Sequence, residues 1–261
     1  MPDGFKINQA FSVADKVVIV TGGGTGIGKV YSQRLAESGA KVVLADIAAK
    51  ECDEVAAAIR DAGGQALSVP TDVTDPARVQ HMADAAAAEF GGIDGLINNA
   101  SMMSVLERGD WFKIDPDRWD AVMAVNLKGL FLCSRAVYPY MQKRGGGRIV
   151  NISSSRIWGG NPNRLDYTTS KAGVIGLTRA LAREVGADNI GVNAVTPGFT
   201  LSETQVSSSS SNYVTGRGDG KCFRRDQFPD DLVGAVLFLL SDASGFITGQ
   251  TINVDGGQSM H

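Results

Sequence analysis

The stretch KVVIVTGGGTGIGKVYSQRLAESG, Lys16 to Gly39, decides the fold: an apolar run, Val17 to Val20, enters a glycine-rich turn and leaves it as a helical segment ending near Gly39. Glycines let the turn's backbone approach a pyrophosphate, and the free amides and dipole at the helix start favour its negative charge. Gly22, Gly26 and Gly28 give the order GxxxGxG, whereas the commoner GxGxxG fingerprint needs glycine where Ile27 stands. Alone, such a turn is equally a tight connection that binds nothing.

Downstream residues sharpen the reading. A second strand, Lys41 to Ala45, ends at Asp46, eighteen positions after Gly28. A carboxylate there accepts hydrogen bonds from adenosine ribose hydroxyls and repels a 2′-phosphate. Thr25 and Ile47 are uncharged, so neither holds that phosphate, which favours NAD over NADP. The bland alternative for Asp46 is a cap on the helix that follows. Next come a helix (Ala49 to Ala62), a strand (Gln65 to Val69) and a turn in which Asp72 meets the adenine edge and Val73 its face, or in which Asp72 serves local turn chemistry alone. A helix from Asp75 to Phe90 leads to a strand at Gly95 to Ile97, followed by Asn98, Asn99, Ala100 and Ser101. Asparagines at a strand end bond backbone and cofactor together. The helix from about Ala121 to Met141 carries Asn126, too polar for an apolar face unless it meets something. Strands alternating with helices predict an α/β domain: a doubly wound parallel sheet with right-handed crossovers and ligands at the strands' carboxyl ends. No repeat or second domain interrupts residues 1–261.

Chemistry is written in NISSSRIWGGNPNRLDYTTSKA, Asn151 to Ala172. If the run from Leu165 is helical, Tyr167 and Lys171, four apart, share a face, and the ammonium favours the phenolate. Ser154, at the end of the apolar strand Arg148 to Ile152, can donate to the same substrate oxygen. A lone YxxxK is usually a solvated helix face, but the serine and the upstream glycine turn argue against that here.

Composition narrows the class. Hydrophobic residues at 43% and charged residues at 20% are ordinary for a globular protein, and a net charge of −3 leaves no basic footprint for nucleic acid or an anionic membrane. Cys52, Cys133 and Cys222 are odd in number and far apart, which fits free thiols in a reducing compartment. Two histidines and no CxxC argue against a metal site. The beginning lacks an apolar signal core and the longest apolar run is Leu232 to Leu240, so a cytoplasmic, membrane-free protein is expected.

From Lys16 to Gly257 the chain resembles the short-chain dehydrogenase/reductase family, on TGGGTGIG at 21–28, Asp46, Asp72 with Val73, NNA at 98–100, Asn126, the Ser154, Tyr167 and Lys171 spacing, PG at 197–198 and ITGQTINVDGG at 247–257. The resemblance implies a single Rossmann-type domain with a seven-stranded sheet in the order 3-2-1-4-5-6-7, a nicotinamide cofactor and a homotetramer. It implies that Tyr167 is the acid or base, that Ser154 orients the carbonyl or hydroxyl, that Lys171 binds ribose and tunes Tyr167, and that Asn126 holds a water linking Lys171 to bulk. For NAD it implies contacts from Gly22, Gly24, Thr25, Gly26, Ile27 and Gly28, from Asp46, Ile47, Asp72, Val73, Asn99 and Ala100, from Tyr167 and Lys171, and from Pro197, Gly198 and Thr200. Two departures stand out. Ser101 replaces a usual glycine, and Thr200 and Ser202 stand where isoleucine and threonine are usual, which changes the groups offered to the nicotinamide carboxamide.

Glu203 to Phe228, with serines at 207–211 and glycines within 215–220, reads as a mobile substrate lid or as a plain surface excursion. RGD at 217–219 is read as coincidence; Lys221, Arg224 and Arg225 form a basic cluster, solvated or facing an anion. Leu232 to Leu240 suggests a helix buried within and between subunits. The expected substrate is a small molecule, a medium-sized hydrophobic or aromatic ketone and its secondary alcohol, bounded by Met102, Met103, Ser154, Trp158, Leu165, Tyr167 and Phe199, with Arg156 and Asp166 facing solvent. Those apolar side chains are otherwise ordinary core. The alternatives are a 3-oxoacyl thioester reductase, against which Asp46 speaks because that class usually prefers NADP, and a nucleotide-binding regulatory protein without chemistry. Asn126, Ser154, Tyr167 and Lys171 at working spacing favour an enzyme.

Overall fold

Seven parallel strands build one sheet: β1 (Val17–Thr21), β2 (Lys41–Asp46), β3 (Gln65–Pro70), β4 (Gly95–Asn98), β5 (Gly147–Ile152), β6 (Ile190–Pro197) and β7 (Thr251–Val254). Their order is β3-β2-β1-β4-β5-β6-β7, as the family resemblance implies. The computed structural model describes residues 7–103, 105–204 and 220–260. Strand β1 is buried along its whole length because helices cover both sheet faces, which is why it reads as a continuous apolar run. Its pleat divides the core: Val18 and Val20 pack with Val42, Leu44 and Ile97 on one face, Ile19 with Val43 and Leu96 on the other.

The helices are the single turn α1 (Ile7–Ala10), α2 (Gly26–Glu37), α3 (Ala49–Asp61), α4 (Pro76–Phe90), α5 (Pro116–Met123), α6 (Gly129–Arg144), the single turn α7 (Arg156–Gly159), α8 (Leu165–Val185) and α9 (Asp230–Leu240). Helix α4 starts where Asp75 accepts from the amides of Ala77 and Arg78 and Pro76 fills the first turn. Helices α5 and α6 are joined without a break by a π-helical turn, Ala124–Lys128, which contains Asn126. The continuous segment Pro116–Arg144 is long and apolar enough to cross a membrane by length and composition, so Leu232 to Leu240 is not the relevant limit; half of its most apolar stretch is buried inside the protein, as in a core helix.

On α9, Leu232, Val236, Leu239 and Leu240 enter the core, while Phe238 stacks on Phe11 at 6.0 Å. Packing within the chain thus covers much of its apolar surface. The expected basic cluster is dispersed: Lys221 is buried, Arg225 is paired with Asp231 at 2.6 Å, and Arg224 alone is exposed without that pairing. Of the expected lid at 203–228, residues 205–219, including the serine run and the RGD triplet, lie outside the described residues.

Candidate active site

Strand β5 and helix α8 bring the reactive side chains together. Lys171, on the second turn of α8, donates from Nζ to the Ile152 carbonyl at the end of β5 (2.9 Å). The same Nζ lies 5.8 Å from the Tyr167 ring centroid, and Ser153 secures this turn by donating to the Lys171 carbonyl (2.7 Å). Ser154, whose Oγ accepts from the Arg156 amide (3.3 Å), lies near enough to the Tyr167 phenol to favour its ionised form. Tyr167 is 6% and Lys171 2% exposed, so both work in a nearly dry setting.

The Asn126 side chain is committed within the protein. Its Oδ1 accepts from the Met102 amide (2.7 Å) and from Ser101 Oγ (3.3 Å), while its Nδ2 donates to the Met102 carbonyl (3.2 Å) and Ser170 Oγ (3.1 Å). Its amide therefore ties the segment after β4 to α8 one residue before Lys171. The exposed Ser101 is drawn into the same contact.

Burial holds the Tyr167 phenol above its ordinary value of 10, against the pull of Ser154, Arg164 and Arg156. Burial also pushes Lys171 down to about 7. Burial penalises both charged forms, so a phenolate at Tyr167 and an ammonium at Lys171 would stabilise each other here.

The turn after β1 fits a dinucleotide pyrophosphate. Gly26 has φ +56°, and a Cβ on Gly28 would overlap the Gly22 carbonyl oxygen. The α2 start is already satisfied by an anion: Glu203 accepts from the Gly26 amide (3.4 Å) and pairs with Lys29 (3.1 Å). A carboxylate there marks where negative charge is favoured, and it would compete with the phosphates. Glu203→Gln is expected to tighten NADH binding several-fold, read as Kd by NADH fluorescence titration; unchanged or weaker binding contradicts the competition.

Asp46 ends β2 with Oδ2 accepting from the Gly24 amide and Oδ1 from the Ala48 amide, both at 3.1 Å. It is thus a clasp on the glycine turn with a local contact to the Ala48 amide, but it caps no amide of α3, whose N-cap is Ala48. Thr25 precedes α2, Ile27 packs from it against the core, and Ile47 is 76% exposed beside Asp46. Asn99 donates to the carbonyls of Thr21 (3.0 Å) and Gly22 (3.2 Å), and the Ala100 amide donates to Thr21 Oγ1 (3.1 Å), fixing the floor of the turn. Asp72 Oδ1 accepts from the amide and hydroxyl of Thr74, the local contact, which leaves Oδ2 to spare, and Val73 is 6% exposed and packs in the core. At the end of β6, Pro197 is buried, the Gly198 amide donates to the Val254 carbonyl (2.9 Å), and Thr200 donates to the Gly198 carbonyl (3.1 Å).

The family described as enoyl-(acyl carrier protein) reductase, of the short-chain dehydrogenase type, matches residues 22–259. The chain belongs to the short-chain dehydrogenase/reductase family. An uncharacterised oxidoreductase of Mycobacterium tuberculosis is 44% identical over 243 residues, covering 93% of this dehydrogenase/reductase and 97% of its relative. A 7α-hydroxysteroid dehydrogenase solved with NADH and 7-oxo glycochenodeoxycholic acid is 31% identical, with TM-score 0.91 over 98% of this chain and 99% of its own. A Beutenbergia cavernae protein described as an NAD(P)-dependent gluconate 5-dehydrogenase, with bound NADP, is 34% identical, with TM-score 0.87 over 95% and 98%. The chain is thus an oxidoreductase of the type that uses NAD(P)(H) on small molecules.

Beside the reactive phenol, this short-chain dehydrogenase/reductase has an apolar wall. Leu106 and Val122 are buried against Tyr167, with Met102 and Met103 packed on them. Leu106 and Val122 were not singled out by sequence, because nothing local marks which apolar residues of a loop and a helix meet the phenol. Other expected lining residues are not gathered as tightly. Leu165 is 45% exposed at the start of α8, and Trp158 lines a different cavity of about 840 Å³ with Arg179, Arg183 and Thr248. Phe199 is half-buried in the segment after Gly198. That larger cavity does not touch Tyr167 or Lys171, so the chemistry lies elsewhere. Asp166 does not face solvent: it is fully buried and pairs with Arg118 at 2.9 Å. Arg156 is half-buried and donates to Thr168 (3.2 Å) and, on its exposed side, to the carbonyls of Asn161 and Pro162.

Proposed function

We propose that this oxidoreductase prefers NAD and interconverts a secondary alcohol and a ketone whose body is largely apolar. The observation that carries the substrate reading is the wall of Leu106, Val122, Met102 and Met103 around Tyr167. The methionines adapt to varied shapes, so several related ketones are accepted. The NAD preference rests on Asp46, whose oxygens retain lone pairs for ribose hydroxyls and whose charge repels a 2′-phosphate.

When bound, the cofactor supplies or accepts the hydride. In reduction the Tyr167 hydroxyl gives its proton to the carbonyl oxygen while Ser154 donates a hydrogen bond to that oxygen, orienting it. Lys171, fixed under the phenol by the Ile152 carbonyl, stabilises the phenolate left behind. Oxidation runs these transfers backwards, with Tyr167 accepting the alcohol proton. Asn126 holds the wall segment against α8 throughout.

The test is kcat/KM for a cyclic or aryl alkyl ketone and for a sugar ketone, each with NADH and NADPH. The apolar ketone with NADH is expected to win by at least about tenfold on each axis, since one methylene is already worth about 1 to 3 kcal/mol. Better use of the sugar overturns the substrate reading; better use of NADPH overturns the reading of Asp46.

A further inference from the structure

Three positions before Tyr167 stands Arg164, only 7% exposed. Its Nη1 donates to the Met103 carbonyl (2.8 Å), while its Nε is shut away from solvent without a hydrogen-bond partner among the described residues. The nearby carboxylate of Asp166 is committed to Arg118. Arg156, on the neighbouring α7 turn, donates to Thr168 and to two backbone carbonyls.

A guanidinium taken out of water is costly, and burial pulls the Arg164 pKa down even though the carboxylate of Asp166 pulls it up. Its place explains what the charge is for. The Met103 carbonyl it grips belongs to the apolar wall beside the phenol, and Arg164 and Tyr167 feel each other electrostatically across one helical turn. A planar fork with an unused donor, next to an apolar wall and a proton-donating phenol, is suited to an oxyanion on an otherwise apolar molecule.

We propose that Arg164 forms a subsite for an organic oxyanion, a carboxylate in the simplest case, carried by the substrate at a distance from its reacting carbonyl. This rests on the apolar ketone reading and adds to it: the substrate is a keto acid or hydroxy acid with an apolar frame. The carboxylate satisfies Nε, while the frame lies along Met102, Met103 and Leu106.

The experiment is calorimetric binding of cyclohexanecarboxylate and of cyclohexanecarboxamide to the enzyme with NADH present. The carboxylate is expected to bind on the order of ten- to a hundredfold tighter than the neutral amide, the range of a charge-assisted hydrogen bond. Arg164→Gln should abolish that preference and Arg164→Lys retain part of it, with circular dichroism confirming the fold of each variant. A purely structural Arg164 would weaken both ligands alike. Equal affinity of wild type for the two ligands, no binding of the carboxylate, or a preference that survives in Arg164→Gln overturns the subsite; the wild-type comparison decides the matter even if the variants do not fold. Cyclohexanone turnover separates the two readings. A wild type that reduces cyclohexanone without preferring the carboxylate leaves the ketone reading standing, whereas Arg164-dependent selectivity without cyclic ketone reduction leaves the subsite standing.

Discussion

Tyr167→Phe is expected to lower kcat by on the order of a thousandfold, within the range that positioned proton transfer contributes, while NADH affinity changes by no more than about twofold. The substitution removes one oxygen from a side chain that is 6% exposed and packed against Leu106 and Val122, so the wall and the helix remain. What disappears is the proton that the alkoxide needs as hydride arrives. Ser154 remains to orient the carbonyl but has lost its partner, and a serine hydroxyl is a poorer acid than a phenol beside a lysine. Steady-state kinetics with parallel NADH titration checks this. Retention of a tenth of the rate would contradict the role of Tyr167, and an equal collapse of NADH affinity would mean that the phenol anchors cofactor instead.

Lys171→Met is expected to lower both turnover and NADH affinity by about tenfold or more. At an effective dielectric near 20, unit charges about 6 Å apart interact by about 3 kcal/mol, which sets the scale of stabilisation of the phenolate under which Nζ sits at 5.8 Å from the ring centroid. The same ammonium is the cation placed to meet ribose hydroxyls. The substitution also has a signed effect on folding. Burial pushes the folded Lys171 down to about 7 from an ordinary 10.5. In that window the unfolded chain holds a proton that the folded chain lacks, so this group's contribution is full above the unfolded value and is lost as pH falls through about 7. Wild type without cofactor should therefore gain stability relative to Lys171→Met as pH rises from about 7 towards 10, measured by urea unfolding. A constant difference across that range contradicts the depressed lysine.

Why some of this was legible and some not follows from the physics of each signal. The glycine turn announces itself because Gly26 has a positive φ and a Cβ at Gly28 would overlap the Gly22 carbonyl, and the sheet does because a strand covered on both faces, such as Val17–Thr21, is apolar nearly throughout. The tyrosine and lysine pair is local to one helix, so spacing suffices to place it. An apolar residue beside a binding turn, such as Val73, looks the same in sequence whether it faces a ligand or the core; its close packing with Gly129 is visible only in the fold. Arg164 and Glu203 escaped because their meaning depends on partners far away in sequence. Glu203 acts at Gly26 and Lys29, and Arg164 is distinguished by the counter-charge that Asp166 has already given to Arg118. Charge balance in a dry pocket is a tertiary property.

The most direct test follows the hydride and the proton in one experiment: reduction of a cyclic ketone by NADH carrying deuterium at either face of nicotinamide C4, with mass spectrometry of the alcohol. One of the two labelled faces is predicted to deliver its deuterium to the carbinol carbon in wild type, and Tyr167→Phe to deliver it at a rate lower by about a thousandfold. Alcohol formed without label from either face, or labelled as quickly by Tyr167→Phe as by wild type, would contradict hydride transfer completed by the Tyr167 proton.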